Sequence, residues 1–144
     1  MNETECQTYL TSLCDEYHIP TELRPKLKFR ETLEKGKVLA YFNDQSNTIT
    51  LALDFLHECD ENLFRNNGQL TASGKNGYLV VREVIRHEFG HFLQKIKGSP
   101  KRRFAEAEAR LFAKRKLYEI FYPYKPERAK QTKIIEFLEV SLHE

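Results

Sequence analysis

Apolar residues in the first part of the chain follow a helical period. Between Glu3 and Tyr17, four large side chains recur on one helical face: Tyr9, Leu10, Leu13 and Tyr17. Pro20 stands just beyond this segment, as prolines commonly do after the end of a helix. The pattern predicts a first amphipathic helix from Glu3 to Tyr17.

The pattern then changes to the alternation that is typical of strands. Lys26–Leu33 alternates apolar and polar residues, and Gly36 marks a turn after it. Lys37–Asn43 and Thr48–Leu53 flank a polar stretch, which predicts a hairpin. These segments favour a small three-stranded antiparallel sheet, and the glycine-containing stretch Cys59–Gly77 is predicted to be mostly loop.

The second half of the chain returns to a helical period. The segment Tyr78–Lys97 predicts a second helix, whose core-facing stripe has five members: Val81, Ile85, Phe89, Phe92 and Ile96. A third helix is predicted from about Pro100 to Phe121, and an amphipathic segment follows Pro123 and Pro126. One helix, three strands and then further helices indicate an α+β fold, in a single domain over residues 1–144.

Composition narrows the class of protein. With 144 residues, 40% of them apolar and 31% charged, the chain has the balance of a globular domain with one modest core. It contains no apolar run of membrane-spanning length, and the N-terminal MNETECQTYL lacks a signal-peptide pattern. Three cysteines without a Cys-x-x-Cys pair argue against a disulfide scaffold. We therefore expect a cytoplasmic protein with no membrane partner.

Charge says little about partners. The net charge is only +2, although basic residues cluster at 101–103, at 114–116 and between Lys125 and Lys133. The solvated faces of helices explain such clusters better than a nucleic-acid-binding surface does. A nucleic-acid partner is therefore not expected.

The clearest chemical motif is His87-Glu88-Phe89-Gly90-His91 on the second predicted helix. Histidines four residues apart lie one turn apart on the same face, so both imidazoles can bind one metal ion. Glu88 can then accept a proton from a water molecule that the ion activates. The histidines continue the line of Val80 and Val84 beside the core stripe, which predicts a site at the floor of a cleft. An accidental pentapeptide of this form on a helix surface is the alternative.

A catalytic zinc site normally has three protein ligands and a water molecule, so a third ligand is needed. The chain has no aspartate after Asp60, and Lys97 stands where a third histidine would follow His91. Gly98-Ser99-Pro100 combines a C-terminal glycine, an N-cap serine and a first-turn proline, which predicts a tight helical hairpin. His91 and Glu106 both lie at about 10 Å from this turn, and hence level with one another.

Glu108 is the rival third ligand. Its helical stripe is charged and looks solvated, whereas Glu106 shares an apolar stripe with Ala109 and is expected to be buried. A glutamate on an apolar stripe needs a partner, which a metal ion supplies. The alternative is that Glu106 pairs with Arg102 or Arg110 at helical spacing.

Together these residues resemble the gluzincin metallopeptidases. In that family a later helix carries a ligand glutamate in an E-x-x-A-D-like context, and here that element reads Glu106-Ala107-Glu108-Ala109-Arg110. The resemblance covers about Val80 to Leu117 and is greatest to the minigluzincins, followed by the ImmA/IrrE repressor-cleaving peptidases. It implies a zinc-dependent peptidase acting on peptide or protein substrates, with Glu88 as general base. The implied zinc ligands are His87, His91 and Glu106.

One position departs from the family pattern. Arg110 stands where the family has an acidic residue or an asparagine, which often orients a zinc-binding histidine. Either another group orients the histidine here or the site is weaker. The resemblance also implies that an edge strand binds an extended peptide, and Thr48–Leu53 is the candidate strand.

Other classes of function stay open. A non-catalytic zinc-binding module, acting as a regulator that contacts protein or nucleic acid, would have a closed fourth coordination position and salt-sensitive binding. An inactive descendant of a peptidase would keep the fold without hydrolysis. His57, Glu58, Cys59 and Asp60 could form a second metal site, although a surface cluster in a loop is favoured.

The chain continues past the third predicted helix into another segment with an apolar face, formed by Ile134, Ile135, Phe137, Leu138 and Leu142. An open peptidase cleft would be hazardous in the cytosol, and the resemblance to small gluzincins suggests latency. Our hypothesis is that this tail covers the cleft, either within one chain or in a homodimer.

Deletion of the residues after Tyr122 is expected to raise peptidase activity, because it would uncover the cleft. Peptide hydrolysis by the full and truncated chains would be compared at equal concentration, after circular dichroism has established that the truncated chain is folded. Equal activities of the two folded proteins would count against a covering tail.

Overall fold

A computed structural model describes residues 1–66, 69–72, 74–97 and 102–121, with residues 65, 66, 71, 102–104 and 115–121 described by their backbone alone. The described α-helices are α1 (Glu3–Glu16), α2 (Leu53–Asp60), α3 (Gly77–Lys97) and α4 (Arg102–Phe121). The described strands are β1 (Lys26–Arg30), β2 (Ala40–Asn43), β3 (Thr48–Ala52), β4 (Leu63–Asn66) and β5 (Gln69–Ala72). The α+β prediction is confirmed. Within these residues, no helix is both long and apolar enough to cross a membrane.

Two parts of the sequence prediction lie outside the described residues. These are the C-terminal amphipathic segment, with the covering role assigned to it, and the turn Gly98-Ser99-Pro100. The helices on either side of that turn are described, and they begin and end within two residues of their predicted bounds.

The first sheet has the strand order β1-β3-β2 and is mixed, so the prediction of an antiparallel sheet is wrong for one pairing. β2 and β3 form the predicted antiparallel hairpin, but β1 runs parallel to β3. Gly36 does lie in a turn, as predicted. This turn closes an isolated bridge between Leu33 and Val38, and β1 and β2 do not pair with each other. Because β2 occupies one side of β3, β1 pairs with the other side.

Strand β3 is therefore paired along both edges, and all five of its residues are buried. The prediction that Thr48–Leu53 offers a free edge to a peptide is wrong for this reason. The two outer strands of this sheet are β1 and β2, and β2 is the one that lies beside α3. The Ala52 N–H donates to Leu39 O, and the alternation of an antiparallel ladder then turns the backbone groups of Ala40 and Phe42 away from β3.

The stretch Cys59–Gly77, predicted to be mostly loop, contains regular structure. It begins in α2, which follows β3 directly and buries Phe55 and Leu56. It continues in an antiparallel hairpin of β4 and β5, on either side of Asn67-Gly68 in the sequence. Asn-Gly is a strong hairpin signal, but strands of four residues are too short for their alternation to stand out.

The core-facing stripe of α3 is largely as predicted. Four of its five members are buried: Val81, Ile85, Phe89 and Phe92. Ile96 is only partly buried. The ring of Phe89 lies 5.6 Å from that of Tyr17, which follows α1, and 6.3 Å from that of Phe112 in α4. Helix α3 is thus packed between α1 and α4.

A buried arginine links α3 to both of these helices. Arg86 Nε donates to the backbone oxygen of Ala113 in α4 at 3.1 Å, and Nη1 donates to the Tyr9 hydroxyl in α1 at 2.7 Å. Burial lowers the pKa of this guanidinium from its ordinary value. The two hydrogen bonds fix the rotation of α3 about its axis, and so fix the direction in which the next residue, His87, faces.

The cysteines are free thiols in the core. Burial raises the pKa of Cys6 and of Cys14 to about 11, and that of Cys59 to about 12. These thiols are therefore protonated at neutral pH and suited to neither metal binding nor nucleophilic attack.

Helices α3 and α4 come close together at Gly90. A Cβ atom at this position would lie 3.3 Å from Ala109 Cα and 3.4 Å from both Ala109 Cβ and Phe112 Cδ1. Such contacts leave no space for a larger side chain. Gly90 therefore sets the spacing of the two helices next to His91.

Gly90→Val is expected to lower the free energy of unfolding by about 2 kcal/mol, because overpacking a close contact typically costs about 1–3 kcal/mol. Gly90→Ala is the graded control, since one methyl group requires only a small shift and also removes the helix penalty of glycine. Urea denaturation of the three proteins measures the difference. A Gly90→Val protein as stable as the wild type would contradict the close approach.

Candidate metal centre

Helix α3 presents His87 and His91 on one face, one turn apart. Their ring centroids are 4.9 Å apart, and the ring planes meet at 78°. The side chains are 20% and 18% exposed, respectively. Both imidazoles are therefore mostly buried but still accessible to an ion.

Glu106 of α4 lies opposite both histidines. Its Oε2 is 3.1 Å from His87 Nε2, and its Oε1 is 2.7 Å from His91 Nε2. One potential ligand atom from each of the three residues lies within 4.8 Å of the other two. The structure thus brings together the three residues that were predicted to bind a metal ion. Among the described residues, no other group of three histidines, cysteines or carboxylates converges in this way, and the His57–Asp60 cluster does not.

The sequence suggested that Glu106 is buried, and this prediction is wrong. Its side chain is 61% exposed, whereas Ala109 and Ala113 on the same stripe are buried. Glu106 stands at the border of the stripe, from which its carboxylate reaches over the histidines. Glu106 differs from Glu108 in its direct contact with both histidines, and not in its burial. The Oε1 atom of Glu108 instead lies 3.5 Å from Gln94 Nε2.

The arrangement of charges suits a cation. A carboxylate only accepts hydrogen bonds, so each histidine Nε2 either carries a proton or shares a cation with Glu106. Burial lowers the pKa of His87, despite the opposing effect of Glu106. Partial burial raises the pKa of Glu106, but His87 and His91 outweigh this effect and hold it below its ordinary value. A neutral imidazole facing an ionised carboxylate is a suitable pair of metal ligands.

The second ring nitrogen of His91 has its own partner, which sequence reasoning missed. His91 Nδ1 lies 2.9 Å from Gln94 Oε1, and Gln94 Nε2 donates to the backbone oxygen of Ala105 in α4 at 2.8 Å. The sequence signal that could have revealed this contact is the spacing of His91 and Gln94, because residues three apart on a helix are neighbours on its surface. Gln94 thus connects His91 to the residue that precedes Glu106.

Glu88 lies beside this group without belonging to it. It is 8% exposed, and the backbone N–H of Phe42 in β2 donates to its carboxylate. Burial raises the pKa of Glu88 to about 7, against the lowering effects of His91 and the Phe42 N–H. A divalent cation nearby would lower this pKa again, since it favours the charged form.

A cleft of about 230 Å³ adjoins His87 and Glu88. Its other lining residues come from α3, α4 and the region of β2: Leu39, Ala40, Glu83, Val84, Arg110 and Ala113. His87 lies in line with Val84 at this cleft, as predicted. Arg110 lines the cleft as well, and its guanidinium, which has only donors, cannot accept a hydrogen bond from an imidazole N–H.

No protein-family model matches this chain, and no curated protein or solved structure matches it either. The resemblance to gluzincins stays a prediction from the motifs. Function is therefore argued from the chemistry of the site.

Glu106→Gln is expected to weaken zinc binding by at least about tenfold, because an amide lacks the charge and the second equivalent oxygen of a ligand carboxylate. Glu108→Gln is the matched control, two residues along the same helix, and is expected to bind as the wild type does. Zinc stoichiometry by elemental mass spectrometry and affinity by chelator competition would be measured for all three proteins. Equal weakening by both substitutions would contradict the assignment of Glu106.

Proposed function

We propose that the protein is a zinc-dependent peptidase in which Glu88 is the general base. The observation that carries this proposal is the convergence of His87, His91 and Glu106 next to Glu88, where His87 and Glu88 line a cleft. Hydrolysis assisted by a metal ion needs protein ligands, an open coordination position and a base that is not itself a ligand.

The donor set supports zinc in a catalytic setting. Two imidazoles and one carboxylate are ligands that zinc uses in peptidases, whereas closed structural sites use four protein ligands. Within the described part of the chain, no fourth histidine, cysteine or carboxylate joins His87, His91 and Glu106. This favours the peptidase over a module with structural zinc.

Zinc at this site would lower the pKa of a water molecule and polarise the carbonyl group of the scissile peptide bond. Glu88 takes the proton of the attacking water and transfers it to the nitrogen of the leaving amine. The Phe42 N–H holds the carboxylate of Glu88 in place, and burial keeps competing water away from it. The two histidines and Glu106 would hold the ion, which would leave Glu88 free for proton transfer.

An extended peptide is the substrate that fits the surroundings of the site. Strand β2 borders the cleft through Ala40, whose backbone groups face away from β3. Because the Phe42 N–H already donates to Glu88, a peptide segment would pair with this edge through the backbone groups of Ala40. Leu39 and Tyr41 are 40% and 37% exposed at this edge, and provide apolar surface beside the paired backbone. One side chain of the peptide would then enter the cleft next to His87.

Glu88→Gln is expected to bind zinc like the wild type but to hydrolyse peptides about 10²–10⁴ times more slowly, because the amide cannot accept the proton. Cleavage of a peptide library would be followed by mass spectrometry with the zinc-loaded proteins and after chelation. Glu61→Gln, at an exposed position after α2, is the control and is expected to keep full activity.

Two outcomes would contradict the proposal. Full activity of Glu88→Gln would remove Glu88 from the mechanism. A zinc-loaded wild type that cleaves no peptide, even after deletion of the residues beyond Tyr122, would instead favour the non-catalytic zinc-binding module.

A further inference from the structure

Gln94 has a buried polar side chain that is held at both ends beside the candidate metal ligands. It is 6% exposed and lies between the imidazole of His91 and the backbone of α4. Its Oε1 is 2.9 Å from His91 Nδ1, and its Nε2 is 2.8 Å from the oxygen of Ala105. Both ends of the amide are therefore engaged.

The partner on α4 fixes which way the amide faces. A backbone oxygen can only accept a hydrogen bond, so the NH₂ group of Gln94 must face Ala105. The amide oxygen then faces His91 and can only accept as well. His91 Nδ1 must therefore be the donor, which leaves Nε2 as the nitrogen that is directed at Glu106.

We propose that Gln94 is the positioning residue of the metal site, and that it fixes the ring of His91 with Nδ1 protonated and Nε2 presented to the ion. This inference rests on the proposed zinc site. A hydrogen-bond acceptor on the distal nitrogen sets both the ring orientation and the tautomer of a metal-binding histidine. Arg110 cannot supply this acceptor, because a guanidinium has only donors.

Gln94 also has a second, purely structural contact, and the two effects must be separated. Its bond to Ala105 ties α3 to α4 one residue before Glu106. Loss of this tie alone could move Glu106 and weaken the site without any effect on the orientation of His91. Each end of the amide therefore needs its own variant.

Two substitutions separate the ends. Gln94→Met keeps the length of the side chain but removes both the acceptor and the donor. Gln94→Glu keeps an acceptor for His91 Nδ1 and loses the donor to Ala105. If Gln94 orients His91, Gln94→Met weakens zinc affinity by about 10–100-fold, while Gln94→Glu stays within a few-fold of the wild type. If Gln94 acts only through the helix tie, both variants lose affinity equally.

Zinc affinity would be measured by chelator competition for the wild type, for both Gln94 variants and for Glu108→Gln. The last protein controls for the 3.5 Å contact between Glu108 Oε1 and Gln94 Nε2. The unfolding temperature of the metal-free proteins reports the hydrogen bond between the helices separately. This temperature is expected to be lower for both Gln94 variants than for the wild type. Long-range ¹H–¹⁵N spectra of the zinc-loaded wild type are expected to place a proton on His91 Nδ1.

The outcomes distinguish this inference from the function on which it rests. A wild type that binds no zinc overturns both. A wild type that binds zinc, with Gln94→Met binding equally well or both Gln94 variants weakened equally, overturns only the positioning role. Weak binding by Gln94→Met with recovery by Gln94→Glu supports it.

Discussion

Helices α3 and α4 approach so closely at Gly90 that no side chain separates it from Ala109. This spacing allows one carboxylate of α4 to reach two imidazoles of α3. Hydrogen bonds between the helices lie on either side of the contact, from Gln94 to Ala105 and from Arg86 to Ala113. The geometry of the candidate site is thus a property of a packed pair of helices. Residue changes that separate the pair would affect the site without touching a ligand.

The sequence is most informative where a residue's role depends on its own helix. The spacing of His87 and His91 and the buried stripe of α3 follow from the helical period alone. The position of Glu106 level with His91 follows from the equal distances of the two residues to the turn that Gly98-Ser99-Pro100 predicts. The α+β class and the β2–β3 hairpin are likewise local in origin.

Features that depend on packing between distant segments were missed. The parallel pairing of β1 depends on which side of β3 remains open once β2 has paired. The exposure of Glu106 depends on where the border between the two helices falls. The orientation of the Gln94 amide depends on its hydrogen bond to Ala105, which belongs to another helix. No periodicity within one segment carries this information, because each case is decided by a partner remote in sequence.

The three candidate ligands differ in how freely they can move. His91 is held at Nδ1 by the buried Gln94, whereas the side chain of Glu106 is largely exposed. An ion would therefore meet the carboxylate first on entering, and would part from it first on leaving. The histidines would keep their positions, and the side chain of Glu106 would move as the ion enters or leaves. Exchange of the ion would then require only a change of one side-chain rotamer, so its rate would be independent of the much slower separation of the helices.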